Sequence, residues 1–77
     1  SENIDAYLKL GDIFRKQGYP DRATKIHREL LVRRNLNPSV QLQILRSLVQ
    51  DYRESQRFDQ ALKRLDEILE HIPKDEW

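Results

Sequence analysis

The sequence predicts an all-α fold in which two antiparallel helical hairpins, four helices in all, stack on one another as a short α-solenoid fragment. Apolar residues recur every three or four positions along most of the chain, and no segment shows the strict alternation of a half-buried strand. The chain also matches itself at an offset of 38 residues, which aligns Ala23 with Ala61 and Leu10 with Leu48. Two copies of one helical hairpin therefore account for nearly all of its 77 residues.

The predicted repeats cover residues 4–37 and 42–75 of a single domain, residues 1–77. In the first repeat, the two helices carry the apolar stripes Ile4, Tyr7, Leu10, Gly11 and Phe14, and Ala23, Ile26, His27, Leu30 and Leu31. Gly18 is expected to end the first helix, where a positive φ is often needed. Asp21 is expected to cap the second helix, where its charge suits the positive end of the helix dipole.

The second repeat has the same order of elements. Its two stripes are Leu42, Leu45, Leu48, Val49 and Tyr52, and Ala61, Leu62, Leu65, Ile68 and Leu69. Asn37 or Ser39 is expected to cap the third helix, with Pro38 near its start, and Asp59 to cap the fourth. Pro73 is expected to stop the fourth helix because proline cannot continue the hydrogen-bond ladder.

The composition argues against several functions. The 14 Lys and Arg residues nearly balance the 13 Asp and Glu residues, so the chain lacks the basic excess expected for nucleic-acid or direct membrane binding. There is no cysteine, and His27 and His71 are far apart, so we expect no metal and no cofactor. No apolar run approaches the roughly 20 residues of a membrane span. Because the chain does not begin with methionine, we expect a processed protein or an excerpt of a longer one.

The spacing of the stripes resembles that of the tetratricopeptide repeat family. The matching positions are Tyr7, Leu10, Gly11, Phe14, Ala23, His27 and Leu30, and then Leu45, Leu48, Val49, Tyr52, Ala61, Leu65, Ile68 and Pro73. Small side chains at Gly11 and Ala23 allow the two helices of a hairpin to approach closely. The usual period is about 34 residues. The period of 38 therefore implies that a helix beside the connection between the hairpins is longer by about a turn.

The segment from Asp21 to Leu30, Asp-Arg-Ala-Thr-Lys-Ile-His-Arg-Glu-Leu, resembles more specifically the lipopolysaccharide assembly protein B family. The long connection between the hairpins and the segment from Leu48 to Tyr52 resemble it too. This resemblance implies an adaptor on the cytoplasmic side of the inner membrane, which helps a membrane-bound ATP-dependent protease control the deacetylase that commits carbon to lipid A. It also implies a membrane anchor and a cysteine-rich metal-binding domain in a full-length chain, and neither is present in these 77 residues.

The candidate binding surface is the concave face that the first helix of each hairpin would line. This candidate face consists of Asp5, Leu8, Lys9, Asp12, Arg15, Lys16, Gln43, Arg46, Ser47, Gln50, Arg53 and Glu54. Arg15, Lys16, Arg46 and Arg53 make it locally basic, which suits an acidic or extended peptide. Arg15 and Arg53 are equivalent in the two repeats, so both are expected to anchor that peptide. Asp12 stands where chaperone-binding repeats carry an asparagine that grips a terminal carboxylate, which disfavours that binding mode.

The predicted function is that of a non-catalytic protein-binding scaffold, with a generic tetratricopeptide scaffold of another assembly as the alternative. An enzyme and an RNA-binding repeat are the rival classes. His27 is read as a packing residue with one ring nitrogen bonded to a neighbour, in preference to a ligand or a pH switch. The aromatic residues Tyr7, Phe14 and Tyr52 are read as core, not as a base-stacking platform.

The ends of the chain predict self-association. Repeat arrays bury a continuous core only by stacking, and the apolar residues of the fourth helix cannot all point at one partner helix. Dimerisation by exchange of a hairpin at the long connection would cover that surface. In a monomer, we expect Trp77 to fold back over the last helix as a cap.

Overall fold

The computed structural model describes residues 2–76, with the side chains of residues 3–75. Its four helices are α1, Glu2–Lys16, α2, Pro20–Leu31, α3, Pro38–Glu54, and α4, Phe58–Leu69, followed by a short 3₁₀ helix, Lys74–Glu76. No strand occurs within residues 2–76, so the predicted all-α fold of four helices is confirmed. The proposed cap, Trp77, lies outside the described residues.

Consecutive helices pack against each other, and α3 also contacts α1. The links within each pair are only a few residues long, which makes α1 and α2, and α3 and α4, antiparallel hairpins. The α2–α3 connection is longer, and α3, with 17 residues, is the longest helix. Among the helices within residues 2–76, none combines the length and the apolarity that a membrane crossing would require.

The two hairpins repeat each other in detail. Helices α2 and α4 both have 12 residues, and their bounds differ by the same 38 positions at each end. The turn before each helix contains one residue with positive φ, Gly18 at 93° and Gln56 at 61°, again 38 positions apart. After each of them, a backbone N–H closes the turn on an aromatic residue, Tyr19 on Phe14 and Arg57 on Tyr52. The backbone conformation therefore repeats at the same offset of 38 residues as the sequence.

The predicted caps are correct in one case of three. The side chain of Asn37 accepts a hydrogen bond from the backbone N–H of Ser39 at 2.8 Å and so caps α3, with Pro38 at its first turn. Asp21 and Asp59 do not cap α2 and α4. Each helix begins one residue before the aspartate, which therefore lies in the first turn. There the carboxylates still favour the positive end of the helix dipole without closing a side-chain cap.

The core lies where α1, α2 and α3 meet, with one residue added by α4. Its buried cluster consists of Leu8, Leu30, Ile44, Leu48, Tyr52 and Ala61. Ala23 is fully buried, which agrees with its predicted place at a close helix contact, and its repeat equivalent Ala61 is nearly so. Ile44 is also fully buried, although it was not part of the predicted stripe of α3.

The apolar stripe of α1 was predicted correctly at Ile4, Gly11 and Phe14 and wrongly at Tyr7 and Leu10. Leu8 is buried with Gly11, whereas Tyr7 and Leu10 are 48% and 39% exposed. The reason is that α2 and α3 meet α1 along the line of Ile4, Leu8 and Gly11, which also has helical spacing. Tyr7 and Leu10 therefore lie on an outer flank that remains partly exposed.

The last helix also keeps apolar side chains exposed. Leu62 is 60% exposed, and Leu65 and Leu69 are 41% and 42% exposed. Their exposure agrees with the expectation that one neighbouring helix cannot cover the whole stripe of α4. Among residues 3–75, apolar side chains thus remain partly exposed at each end, on α1 and on α4.

Candidate functional site

The structure leaves most of the candidate face open and buries two of its members. The exposed residues are Asp5, Lys9, Lys16, Gln43, Arg46, Gln50, Arg53 and Glu54. Leu8 and Ser47 are buried, with 6% and 8% of their surface exposed, so the expectation that they line an open face is corrected. They are covered because α3 lies across α1 and turns both side chains into the contact between the helices.

Arg15 also has a different place from the one expected of a ligand anchor. Its side chain is only 14% exposed, and Nη1 donates to Asp12 Oδ1 at 2.9 Å and to Asp51 Oδ1 at 3.0 Å. It thus joins α1 to α3 inside the protein. Its equivalent, Arg53, is exposed and makes only a 3.4 Å contact with Gln50. Of the two arginines that the repeat made equivalent, only Arg53 remains open to a partner.

His27 lies at the centre of the same contact. The ring is fully buried, with Nδ1 2.5 Å from Asp51 Oδ2 and Nε2 3.1 Å from the carbonyl oxygen of Leu8. Packing between helices was the preferred interpretation of His27 and is confirmed, although both ring nitrogens, and not one, have partners. His27 and Asp51, with Asp12 and Arg15, form a polar cluster that links α1, α2 and α3.

The hydrogen-bond partners of His27 favour a ring that carries a proton on each nitrogen. A carbonyl oxygen only accepts, so Nε2 of His27 must carry the hydrogen that it donates to Leu8. Asp51 also accepts from Arg15, so a carboxylate there pairs best with a donating Nδ1, and a ring that donates from both nitrogens is an imidazolium. Burial lowers the pKa of His27, but the hydrogen bond and charge of Asp51, with Leu8 and Asp12 adding to them, outweigh that effect and raise the pKa above its ordinary value.

Gly11 makes room for the buried ring. A Cβ atom at position 11 would lie 2.8 Å from Cε1 and 2.9 Å from Cδ2 of His27, and closer still to Nε2. Because the His27 ring is buried on every side, it has no free space to move into. Any residue larger than glycine at position 11 would therefore clash with the imidazole and disrupt its packing. The glycine was predicted to allow a close approach of two helices, and the group that approaches it is the His27 side chain.

Sequence reasoning missed Asp51, which is fully buried. One signal in the sequence points to it. Asp51 follows Ile44 and Leu48 at helical spacing, so a carboxylate stands on the apolar stripe of α3, and such a group needs a buried partner. His27 is likewise a polar residue on the apolar stripe of α2. The sequence therefore allowed the inference that His27 and Asp51 pair with each other.

The second hairpin does not repeat the polar cluster. At the offset of 38, His27 corresponds to Leu65 and Gly11 to Val49. A leucine has no polar atom to satisfy, so the second hairpin needs neither the small residue nor a buried carboxylate from a further helix. The polar cluster is therefore specific to the contact between the first hairpin and α3.

An open groove runs along α3 beside the candidate face. It is lined by Arg15, Arg46, Ser47, Val49, Gln50, Leu65 and Ile68 and encloses about 400 Å³. Four of these residues belong to the candidate face, which the structure therefore brings together with an apolar side formed by Val49 and α4. An exposed guanidinium at Arg46 above exposed leucine at Leu65 suits a segment that is apolar on one side and acidic on the other.

The remaining members of the candidate face lie apart from the groove. Asp5 and Gln43 line a second cleft between the start of α1 and the α2–α3 connection, and Asp5 pairs with Lys9 at 3.0 Å on the surface. Lys16 and Glu54 lie at the ends of α1 and α3. Within residues 2–76, no three His, Cys, Asp or Glu side chains are grouped as metal ligands would be.

Comparison with known proteins gives a match over part of the chain. Over 58 residues, which are 75% of this chain, it is 34% identical to lipopolysaccharide assembly protein B from Escherichia coli strain K12, and equally to that from strains of Escherichia coli O6:H1 and O157:H7. The matched segment spans about 15% of the length of these curated relatives. No protein-family profile and no solved structure matches the chain.

Proposed function

We propose that this chain is a non-catalytic, protein-binding segment of tetratricopeptide type that acts in lipopolysaccharide assembly. The observation that carries the protein-binding role is the groove, because it places the exposed Arg46 beside the apolar side chains of Val49 and Leu65. Its proposed ligand is an amphipathic helix whose apolar side contacts Val49 and Leu65 and whose acidic side contacts Arg46. Such a helix would bury its apolar stripe and pair its carboxylates at the rim.

The placement of the polar cluster supports a non-catalytic role. His27 and Asp51 resemble in composition a general base and its orienting carboxylate, but both are fully buried, and the ring nitrogens are both occupied. A substrate would have to separate α1 from α3 to reach them. Their geometry is suited to holding three helices together.

The role in lipopolysaccharide assembly is drawn from the similarity to lipopolysaccharide assembly protein B. The resemblance of the Asp21–Leu30 segment extends the proposal to an adaptor on the cytoplasmic side of the inner membrane, acting with a membrane-bound ATP-dependent protease. The alternative is a tetratricopeptide scaffold of another multiprotein assembly. The match to only a small part of the relatives keeps this alternative open.

The groove is tested by titration with a labelled amphipathic helical peptide that carries leucine at every third or fourth position and glutamate on one flank. Arg46→Glu should weaken binding roughly three- to tenfold, because it replaces an attractive rim charge by a repulsive one. Lys63→Glu is the matched control, since Lys63 is exposed but does not line the groove. Equal affinity of the wild type and Arg46→Glu, measured by fluorescence anisotropy, would place peptide binding elsewhere.

The role in lipopolysaccharide assembly is tested by a chimera. The matched segment of the Escherichia coli relative is replaced by the corresponding segment of this chain, and the cellular level of lipopolysaccharide is measured. A functional segment should keep that level at its normal value. A stable, expressed chimera with deregulated lipopolysaccharide would favour the alternative scaffold.

A further inference from the structure

We propose that the ligand of the groove is helix α1 of a second copy of this chain, docked head to tail. The head face is Asp5, Leu10 and Ile13 on α1, and the tail face is Arg46, Leu65 and Ile68 on α3 and α4. This inference rests on the proposed protein-binding role of the groove and names its partner.

The contact between α3 and the first hairpin supplies the docking geometry. Because the second hairpin repeats the first at an offset of 38, the surface of the first hairpin that α3 covers recurs on the second hairpin, where Arg46 and Leu65 are exposed and Ile68 is half-buried. The helix that corresponds to α3 by the same offset is α1. Placing α1 of a second copy on the second hairpin, as α3 lies on the first, therefore continues a contact that the molecule already makes.

The central residue pair of this contact is polar inside the molecule and apolar at the equivalent positions of the head and tail faces. Inside the molecule, His27 meets Asp51. The offset turns His27 into Leu65 on the tail face and Asp51 into Ile13 on the head face. A buried polar pair is thus replaced by an apolar pair, and neither partner is left with an unsatisfied group. The two changes are 52 residues apart in the sequence and are complementary only if the faces meet.

Two further positions agree. Leu30 and Leu48 belong to one buried cluster, and they correspond to Ile68 on the tail face and Leu10 on the head face, so this contact stays apolar. Leu10 is 39% exposed in the single molecule, where it lines a cleft with Ile26 of α2. Burial of such a side chain stabilises the contact because it removes apolar surface from water.

The charges at the edge of the two faces are also complementary. Leu8 and Gln43 line one cleft at the edge of the contact between the hairpins. They correspond to Arg46 on the tail face and Asp5 on the head face, which are both exposed and of opposite charge. The Lys9 partner of Asp5 is a surface neighbour with a largely exposed side chain, so the carboxylate can also reach a second cation.

A head-to-tail contact of this kind is not complete at two copies. Each bound copy presents a free tail face, and a heterologous contact whose rotation does not close produces an open helical assembly. A symmetric dimer, or a dimer formed by exchange of hairpins, would instead stop at two copies. The size of the assembly therefore separates these arrangements.

The test is sedimentation equilibrium of the wild-type chain and of two single variants. Ile13→Glu blocks the head face and Leu65→Glu blocks the tail face. Because the two side chains are 51% and 41% exposed, both variants should keep the helical circular dichroism of the wild type. The wild-type mass should rise with concentration past twice the monomer mass. Each variant alone should remain monomeric, and their equimolar mixture should stop at twice the monomer mass.

Val32→Glu is the control, because Val32 is 81% exposed and lies outside both faces. It should associate as the wild type does. A wild-type chain that stays monomeric at every concentration, or a single variant that dimerises alone, would overturn the head-to-tail contact. If the wild-type chain stays monomeric but still binds the amphipathic peptide, a second copy is not the ligand, and the peptide-binding role of the groove is retained. Loss of both self-association and peptide binding would remove the proposed function as well.

Discussion

At the scale of single residues, the polar cluster determines how stability responds to pH. The native pKa of His27 is raised above the unfolded value of about 6.5. The stabilisation that results is fully present below the unfolded pKa and is lost as the pH rises through the folded pKa. The charged groups that face the ring are Asp12 and Arg15 from α1 and Asp51 from α3.

We expect the free energy of unfolding of the wild type to fall as the pH rises above about 6.5, by at most about 1.4 kcal/mol per pH unit. Asp51→Asn should flatten this part of the curve. An asparagine can donate its amide N–H to a neutral Nδ1 of His27 while Nε2 still donates to Leu8, so the ring no longer needs a second proton. Urea unfolding at a series of pH values measures both curves.

The second histidine, His71, is present in both proteins, so the difference between the curves reports on His27 alone. A wild type and an Asp51→Asn variant with the same pH dependence would show that the imidazole is neutral in the folded protein. The sequence placed His27 inside the fold but left Asp51 unassigned, because the two residues are 24 positions apart and their contact depends on how α2 and α3 pack.

At the scale of the elements, each of the two turns requires one residue with a positive φ, and the two turns use different residues there. Gly18 adopts a φ of 93°, and a Cβ atom there would meet no other atom within 4 Å. Gln56, at the equivalent position, adopts a φ of 61°. Left-handed backbone costs a residue with a Cβ atom roughly 1–2 kcal/mol, so the second turn is strained and the first is not.

We expect Gly18→Ala to lower the free energy of unfolding by about 1 kcal/mol, through backbone strain alone. Gln56→Gly should raise it by roughly 0.5 kcal/mol, because glycine's greater freedom in the unfolded chain offsets part of the relief. Gln17→Ala, in the first turn and exposed, is the control and should leave stability nearly unchanged. Chemical unfolding followed by circular dichroism measures all three, and a stabilising Gly18→Ala would refute the argument.

At the scale of the whole molecule, two hairpins are a small array. A chain of this length buries only about 60% of the surface that its unfolded form exposes, and stacked repeats usually need about three units for stability. The partly exposed apolar flanks on α1 and α4 are the structural expression of this deficit. Anything that binds the folded chain at these flanks stabilises it by mass action.

The melting temperature of the wild type should therefore rise with protein concentration over a roughly hundredfold range, whereas that of Leu65→Glu should stay constant. The variant removes the apolar contact from the tail face but leaves the buried core unchanged, because Leu65 lies outside it. Calorimetric scans at matched concentrations measure the difference. A melting temperature of the wild type that does not depend on concentration would contradict association of the folded chain.

The sequence by itself determined the features that depend on local spacing. The offset of 38 residues, the four helices, the turns at Gly18 and Gln56, and a cap of α3 at Asn37 or Ser39 follow from periodicity and from residues that end or begin helices. These features arise from contacts between residues close in the chain, which a single sequence displays directly.

Only the tertiary structure decided which side of each helix is covered. In the structure Leu8 is buried and Tyr7 is exposed. Arg15 pairs with Asp51 instead of pointing into solvent, and His27 contacts Asp51. Neighbouring sides of α1 both have helical apolar spacing, so periodicity alone cannot choose between them. The choice depends on where α2 and α3 cross α1, and that position is fixed by packing between residues far apart in the sequence.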